Sequence, residues 1–199
     1  MGDLFSRLSD LYEEGHARDL PDLLTDASLS DGRATPAAVL VAVTERDEPT
    51  VVLTQRPRGM RDHPGQVAFP GGKVDPGETA IEAALREADE ELALPPDAVR
   101  VIGASDLYHT GTGFLITPVL GVVPPDLPLV PSPAEVEAWF EVPLDRLLNR
   151  ANWQAQEVQW KGQWRRYYEM KHEGFRIWGV TAAIILNLAR RIDVNALRD

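Results

Sequence analysis

Cysteine is absent from the 199 residues. That excludes disulfides, thiol nucleophiles and Cys-ligated zinc. Long apolar runs are absent too: nothing approaches the ~18 residues that a membrane-spanning helix needs. The longest run near the end, Val180 to Leu188, is interrupted by Thr181 and Asn187. Met1 to Arg7 lacks a basic patch followed by an apolar stretch, so it does not read as a secretory signal, and the expected compartment is the cytoplasm. Positive charge is scarce, with 20 Lys and Arg against 31 Asp and Glu and a net charge of −11. Such a surface argues against non-specific binding to nucleic acid or to anionic membrane. A phosphate-bearing substrate would need local arginines and metal ions to overcome it.

What is present suits one domain with a sizeable core, spanning residues 1–199, with an N-terminal helix and connector over 1–34. Leu4 to Glu14 has apolar residues at helical spacing. Residues 15–34 are polar and broken by proline and glycine. Ala37 to Thr44 and Val51 to Thr54 read as a strand hairpin around a polar turn, and Gln66 to Phe69 as a short strand. Glu78 to Leu92 is the clearest helix: Ile81, Ala84, Leu85, Ala88 and Leu92 recur at three and four, and Pro95-Pro96 stops it. Val99 to Tyr108, Leu115 to Val123 and Val136 to Val142 read as strands, with a proline-rich loop before the last. Leu144 to Asn149 reads as a short helix. Gln154 to Trp160 and Trp164 to Met170 form a second hairpin around Gly162, which either packs on the core or makes a homodimer contact. Thr181 to Ile192 is a closing helix. Strands bracketing one central helix, with another at the end, predict an α+β fold with a mixed sheet between helices.

The central helix concentrates carboxylates. Glu87, Glu90 and Glu91 sit at i, i+3 and i+4 and share a face. Like charges at this spacing cost roughly 0.2–0.5 kcal/mol per pair, which a divalent cation would offset. Carboxylate oxygens suit Mg²⁺ or Mn²⁺ and not zinc. Arg86 is placed to orient a carboxylate by a bidentate pair, Glu78 to act behind the ligands or through water, and the Gly72 carbonyl to add a ligand where glycine permits close approach. Against this stands the ordinary reading of a solvated acidic helix face.

The spacing decides between them. Gly72, Glu78, Arg86, Glu87, Ala88, Glu90, Glu91 and Leu94 resemble the Nudix box, G-x5-E-x7-R-E-U-x-E-E-x-G-U, with U aliphatic. The chain departs from it at Ala93, where the family has glycine, and has a small U residue at Ala88. The resemblance implies an α/β/α sandwich with a mixed sheet. It also implies Mg²⁺-dependent hydrolysis of a nucleoside diphosphate linked to another moiety, by water attack at phosphorus. Glu90, on a rigid element, is the first candidate for general base; Glu135 and Glu137, after the proline-rich loop, are the alternatives.

A second resemblance narrows the substrate. Leu53-Thr54-Gln55-Arg56 through Arg61, His63, Gly65 and Val67-Ala68-Phe69-Pro70-Gly71-Gly72 are similar to the signature of the coenzyme A pyrophosphatase branch. Val52 and Pro57 depart from it. Arg176-Ile177-Trp178-Gly179-Val180-Thr181-Ala182 is similar to an I-W-G-x-T-A segment of the same branch. The resemblance implies cleavage of coenzyme A and its derivatives, as small-molecule substrates, to 3′,5′-ADP and 4′-phosphopantetheine or its acyl form. Arg56, Arg58, Arg61 and His63 are then the expected substrate-binding residues, since guanidinium groups bind phosphate bidentately. Phe69 and Trp178 are expected in the core. Hydrolysis of another compound, such as ADP-ribose or a dinucleotide, stays open, as does a nucleotide sensor that binds without cutting.

Overall fold

The computed structural model describes residues 3–30, 32, 34–160 and 162–197. Its elements in order are α1 (Leu4–His16), β1 (Thr35–Thr44), β2 (Thr50–Gln55), β3 (Val67–Ala68), β4 (Gly71–Lys73), α2 (Ala80–Leu92), β5 (Arg100–Ala104), β6 (Tyr108–His109), β7 (Phe114–Val123), β8 (Ala138–Pro143), α3 (Leu144–Leu148), β9 (Gln154–Trp160), β10 (Gln163–His172), β11 (Phe175–Trp178) and α4 (Val180–Arg191).

The main sheet is mixed. β1 and β7 run parallel over ten residue pairs, Thr35↔Phe114 to Thr44↔Val123. Their neighbours β2, β3, β4, β5, β6 and β8 all join antiparallel. Strand alternation sends successive β1 side chains to opposite faces. Val41 and Val43, with Val51, Leu53, Leu120 and Val122, face a core closed by Leu4 and Leu8 of α1, Leu144 and Leu147 of α3 and Ile184, Ile185 and Leu188 of α4. Ala38, Leu40 and Ala42, with Val52, Val119 and Val123, face Ala83, Ala84, Ala88 and Leu92 of α2. Helices therefore cover both faces, as the α+β expectation requires. The α2 side is lined by alanines from both partners, which lets that helix lie close to the sheet.

A second, three-stranded antiparallel sheet, β9–β10–β11, is tied to the first through α4. The Thr181 hydroxyl donates to the Val67 carbonyl at 2.9 Å, which fixes the start of α4 against β3. The connector after α1 is held by polar bonds that replace a missing ladder. Asn187 on α4 accepts from the Leu24 N–H and donates to the Leu24 carbonyl. Buried Arg191 pairs with Asp106 at 2.7 Å and donates to the carbonyls of Gly15 and Arg18.

Four expectations change. α2 starts at Ala80, because Thr79 caps it in a reciprocal box with Glu82, so Glu78 lies before the helix. Ile81 is exposed and Ala83 takes its place in the core. The predicted strand over Val99 to Tyr108 breaks into β5 and β6, interrupted at Ser105 to Leu107. β4 and β11 have no counterpart in the sequence reading, being too short to show a period.

Ala93 caps α2 at φ 52° and ψ 37°, a left-handed conformation that costs an L-residue roughly 1–2 kcal/mol. Ala93→Gly should stabilise the fold by about 1 kcal/mol, net of the entropy glycine loses on folding. Thermal unfolding should then rise by roughly 2–4 °C. An unchanged or lower midpoint would show that the cap is not strained.

Candidate functional site

Close packing of α2 on the alanine-lined sheet face carries one of its carboxylates inward with it. Glu91 is only 4% exposed, and its Oε2 atom is buried without a hydrogen-bond partner among the described residues. Its carboxyl is pushed up to about 8, first by burial and then by the charges of Glu135 and Glu87; the Gly71 N–H and the Arg56 charge oppose the rise. Glu87, one turn earlier, is also raised by burial, against the pull of Arg86.

Arg86 fixes the entrance to this group. Its Nε and Nη2 donate to the two Glu78 oxygens at 2.9 and 3.1 Å. Nη1 donates to Glu87 at 3.0 Å and to Glu90 at 3.1 Å, and Nη2 also reaches the Lys73 carbonyl at 3.0 Å. The Arg86 bonds, followed by the Asp75 N–H, hold Glu78 below its ordinary value. Gly72 lies against the Glu87 carboxylate so closely that any Cβ there would overlap it. A side chain at 72 would thus displace the Glu87 carboxylate.

The third carboxylate comes from the loop before β8. At the end of α2, where backbone carbonyls lack helical partners, Val130 N–H bonds to Leu92 O and Ser132 N–H to Glu91 O, both at 2.8 Å. Glu135 and Val136 N–H groups then turn back to Ser132 O, and Glu137 N–H reaches Gln55 O on β2. Buried Val136 anchors the turn. The result places one oxygen each from Glu87, Glu91 and Glu135 within 4.8 Å of one another.

Glu90 is not in this group. Its side chain is 54% exposed and paired with Arg86; Glu135, second to it on sequence grounds, stands with Glu87 and Glu91 instead. Glu137 accepts from the Arg58 N–H and also lies outside the group. The three loop arginines separate. Arg56 is half-buried, with its charge acting on Glu91. Arg58 and His63 line a cavity farther along the same loop. Arg61 is exposed at the turn. Phe69 is buried in the core, but Trp178 is only half-buried and faces the cavity with Arg58. A tryptophan is more often core than a platform for a ligand, and only the placement of the second sheet reveals the open side.

An all-oxygen group with an orphaned buried acceptor and glycine clearance fits a hard divalent cation. Residues 34–161 match the model of the NUDIX domain. The chain belongs to the Nudix family. Nudix hydrolases act on small-molecule nucleotide substrates and generally use divalent metal ions. The chain is similar to the uncharacterised Nudix hydrolase NudL of Escherichia coli K12, 46% identical over 159 residues, covering 79% of this chain and 83% of that protein. The NudL of Escherichia fergusonii is 45% identical over the same coverage. The fold is similar to that of a Nudix hydrolase from M. Smegmatis, RenU, with a TM-score of 0.54 and 24% identity over 77% of this chain and 83% of that one. Among the described residues of this Nudix protein, no helix is long and apolar enough to cross a membrane.

Glu91 gives the metal-free Nudix protein a pH signature. An acid whose folded value lies above its unfolded one contributes stability that is fully present below the unfolded value, 4.5, and lost as pH rises through about 8. In chelator, Glu91→Gln should therefore melt above wild type at pH 8 and higher, by roughly 5 °C, with the gap closing toward pH 4.5. Equal midpoints throughout would show that Glu91 is not held in a poorly solvated site.

Proposed function

We propose that the chain hydrolyses the diphosphate of coenzyme A and its derivatives, giving 3′,5′-ADP and 4′-phosphopantetheine or its acyl form. The observation that carries this reading is the path of the loop after β2. Arg56 stands at the carboxylate group, and the same loop continues to a cavity bearing Arg58 and His63. A diphosphate at the carboxylates would thus have cationic groups leading from it to room for the nucleotide half.

Glu87 and Glu91 would hold the cation, Mg²⁺ or Mn²⁺, and the Gly72 carbonyl would be a further oxygen donor. When bound, the metal supplies charge neutralisation on the diphosphate and lowers the pKa of the attacking water. Arg86 keeps the Glu87 carboxylate turned toward Glu91, and Glu78 keeps Arg86 from rotating away. Glu135 is exposed, lies beside Glu87 and Glu91 and is positioned by backbone bonds, so it takes the proton of the attacking water. Glu90, already engaged by Arg86, supports the clamp.

The variants separate these roles. Glu87→Gln and Glu91→Gln should each weaken metal binding and lower turnover by at least about 100-fold. Glu135→Gln should lower kcat by roughly 10²–10⁴-fold while calorimetry shows metal affinity within about threefold of wild type. A larger loss from Glu90→Gln than from Glu135→Gln would exchange the two roles. For the substrate, coenzyme A, dephospho-coenzyme A, ADP-ribose and a dinucleotide should be compared with Mg²⁺ and Mn²⁺, identifying products by mass. Coenzyme A should give the highest kcat/KM; a higher value for ADP-ribose or the dinucleotide would refute the assignment.

A further inference from the structure

The cavity at the end of the arginine loop has a second wall. It measures about 600 Å³ and is lined by Gln55, Arg58 and His63 together with Arg176 and Trp178 of β11. This volume is in the range of small-molecule sites and can take a nucleotide. Gln55 is the residue whose carbonyl anchors the Glu135–Glu137 loop, so the cavity begins where the carboxylate site ends.

Arg176 is held in place. Its Nε donates to Glu169 at 2.7 Å, and its Nη2 donates to Glu169 and to the Tyr167 hydroxyl at 3.1 Å. Its guanidinium lies 4.7 Å from the centre of the Trp178 ring, which Tyr167 meets edge-on at 5.7 Å. None of these contacts uses Nη1. In the same lining, the Arg58 side chain is 80% exposed and 4.0 Å from Glu137, a weak surface pair. A chain of net charge −11 thus places two arginines and a histidine around one cavity whose wall is an indole. Cations and a flat aromatic surface together match a phosphorylated nucleoside.

We infer that this cavity takes the nucleotide half of the substrate, with Arg176 and Arg58 binding a phosphate monoester on the ribose and Trp178 lining the base. Arg176 is then a specificity residue contributed by the second sheet. The identity of the monoester as the 3′-phosphate rests on the coenzyme A reading; the cavity's preference for a second phosphate does not.

Two measurements on the full chain keep those apart. In the first, metal-free protein is titrated with adenosine 3′,5′-bisphosphate and with AMP. Wild type should bind the bisphosphate at least about tenfold more tightly, as expected for charge-assisted hydrogen bonds, and Arg176→Ala should remove most of that preference. Because Arg176→Ala removes the cation paired with Glu169, the double variant Glu169→Gln/Arg176→Gln, which strands no charge, should behave the same way. In the second, steady-state kinetics compare coenzyme A with dephospho-coenzyme A. The ratio of kcat/KM values should collapse toward unity in both variants, with the loss falling on KM. If wild type cleaves coenzyme A but the variants keep its full bisphosphate preference and kinetic ratio, the cavity inference is wrong and the hydrolase reading survives. If wild type prefers the bisphosphate through Arg176 yet does not cleave coenzyme A, the cavity inference stands and the substrate reading falls. Equal binding of both nucleotides by wild type overturns the cavity inference outright.

Discussion

Three carboxylates brought within 4.8 Å, one of them almost wholly buried, form the constraint on which the rest of the structure depends. If all were ionised, each pair would repel by roughly 3 kcal/mol at an effective dielectric near 20, less at Glu135, where solvent screens. The neighbouring cations, Arg86 and Arg56, are too few to cancel this. Arg86 is shared among Glu78, Glu87 and Glu90, so the clamp is already more negative than positive before Glu91 and Glu135 are counted. Burial raises the Glu91 carboxyl and so favours its neutral form, which relieves part of the excess. The remaining solution is an external charge, and the orphaned Glu91 oxygen is where it would be felt most.

That arrangement needs a helix packed directly against its sheet. Alanines on both sides supply the closeness: Ala38 and Ala42 on β1, Ala83, Ala84 and Ala88 on α2. Larger residues would lift the helix and bring Glu91 back to water. Closeness in turn leaves no space at Gly72, where a side chain would enter the Glu87 carboxylate. It also requires an abrupt end to α2, so that the proline-rich chain can bond to the last carbonyls and return with Glu135. Ala93 makes that end in the left-handed region without glycine's freedom. The helix terminus therefore carries strain that the backbone bonds from Val130 and Ser132 offset.

Much of this was legible in the sequence. The i, i+3, i+4 spacing put Glu87, Glu90 and Glu91 on one side of a helix, and the box spacing picked out the chemistry. Periodicity could not say which of the three would be buried, because that depends on how near the sheet allows the helix to come. Glu91 and Glu90 are adjacent in sequence, yet one is enclosed and the other half in water. The helix start was missed by two residues because Glu78 looks like a first-turn acid, while Thr79 with Glu82 is the stronger capping signal. Glu135 was visible only as one of two loop acids. What distinguishes it from Glu137 is a set of backbone hydrogen bonds that leave no trace in residue type.

Recognition is harder to read than chemistry for a reason of topology. The carboxylate group is assembled mainly from residues 72 to 91, with one visitor from 135, so local spacing reports on it. The cavity beside it joins Arg58 to Arg176, more than a hundred residues apart, through a second sheet that touches the first by α4 and by β11 against β3. Thr181 determines this junction: its hydroxyl bonds to Val67 at the end of the arginine loop, while Gly179 before it turns the chain from β11 into α4 at φ 65°. The segment from Arg176 to Ala182 thus does two jobs at once, presenting Arg176 and Trp178 to the cavity and locking their strand to the loop they face. Under the cavity proposal, substrate preference can change through the second sheet while Glu87, Glu91 and Arg86 stay as they are, because a shared carboxylate site does not by itself fix the molecule that is bound.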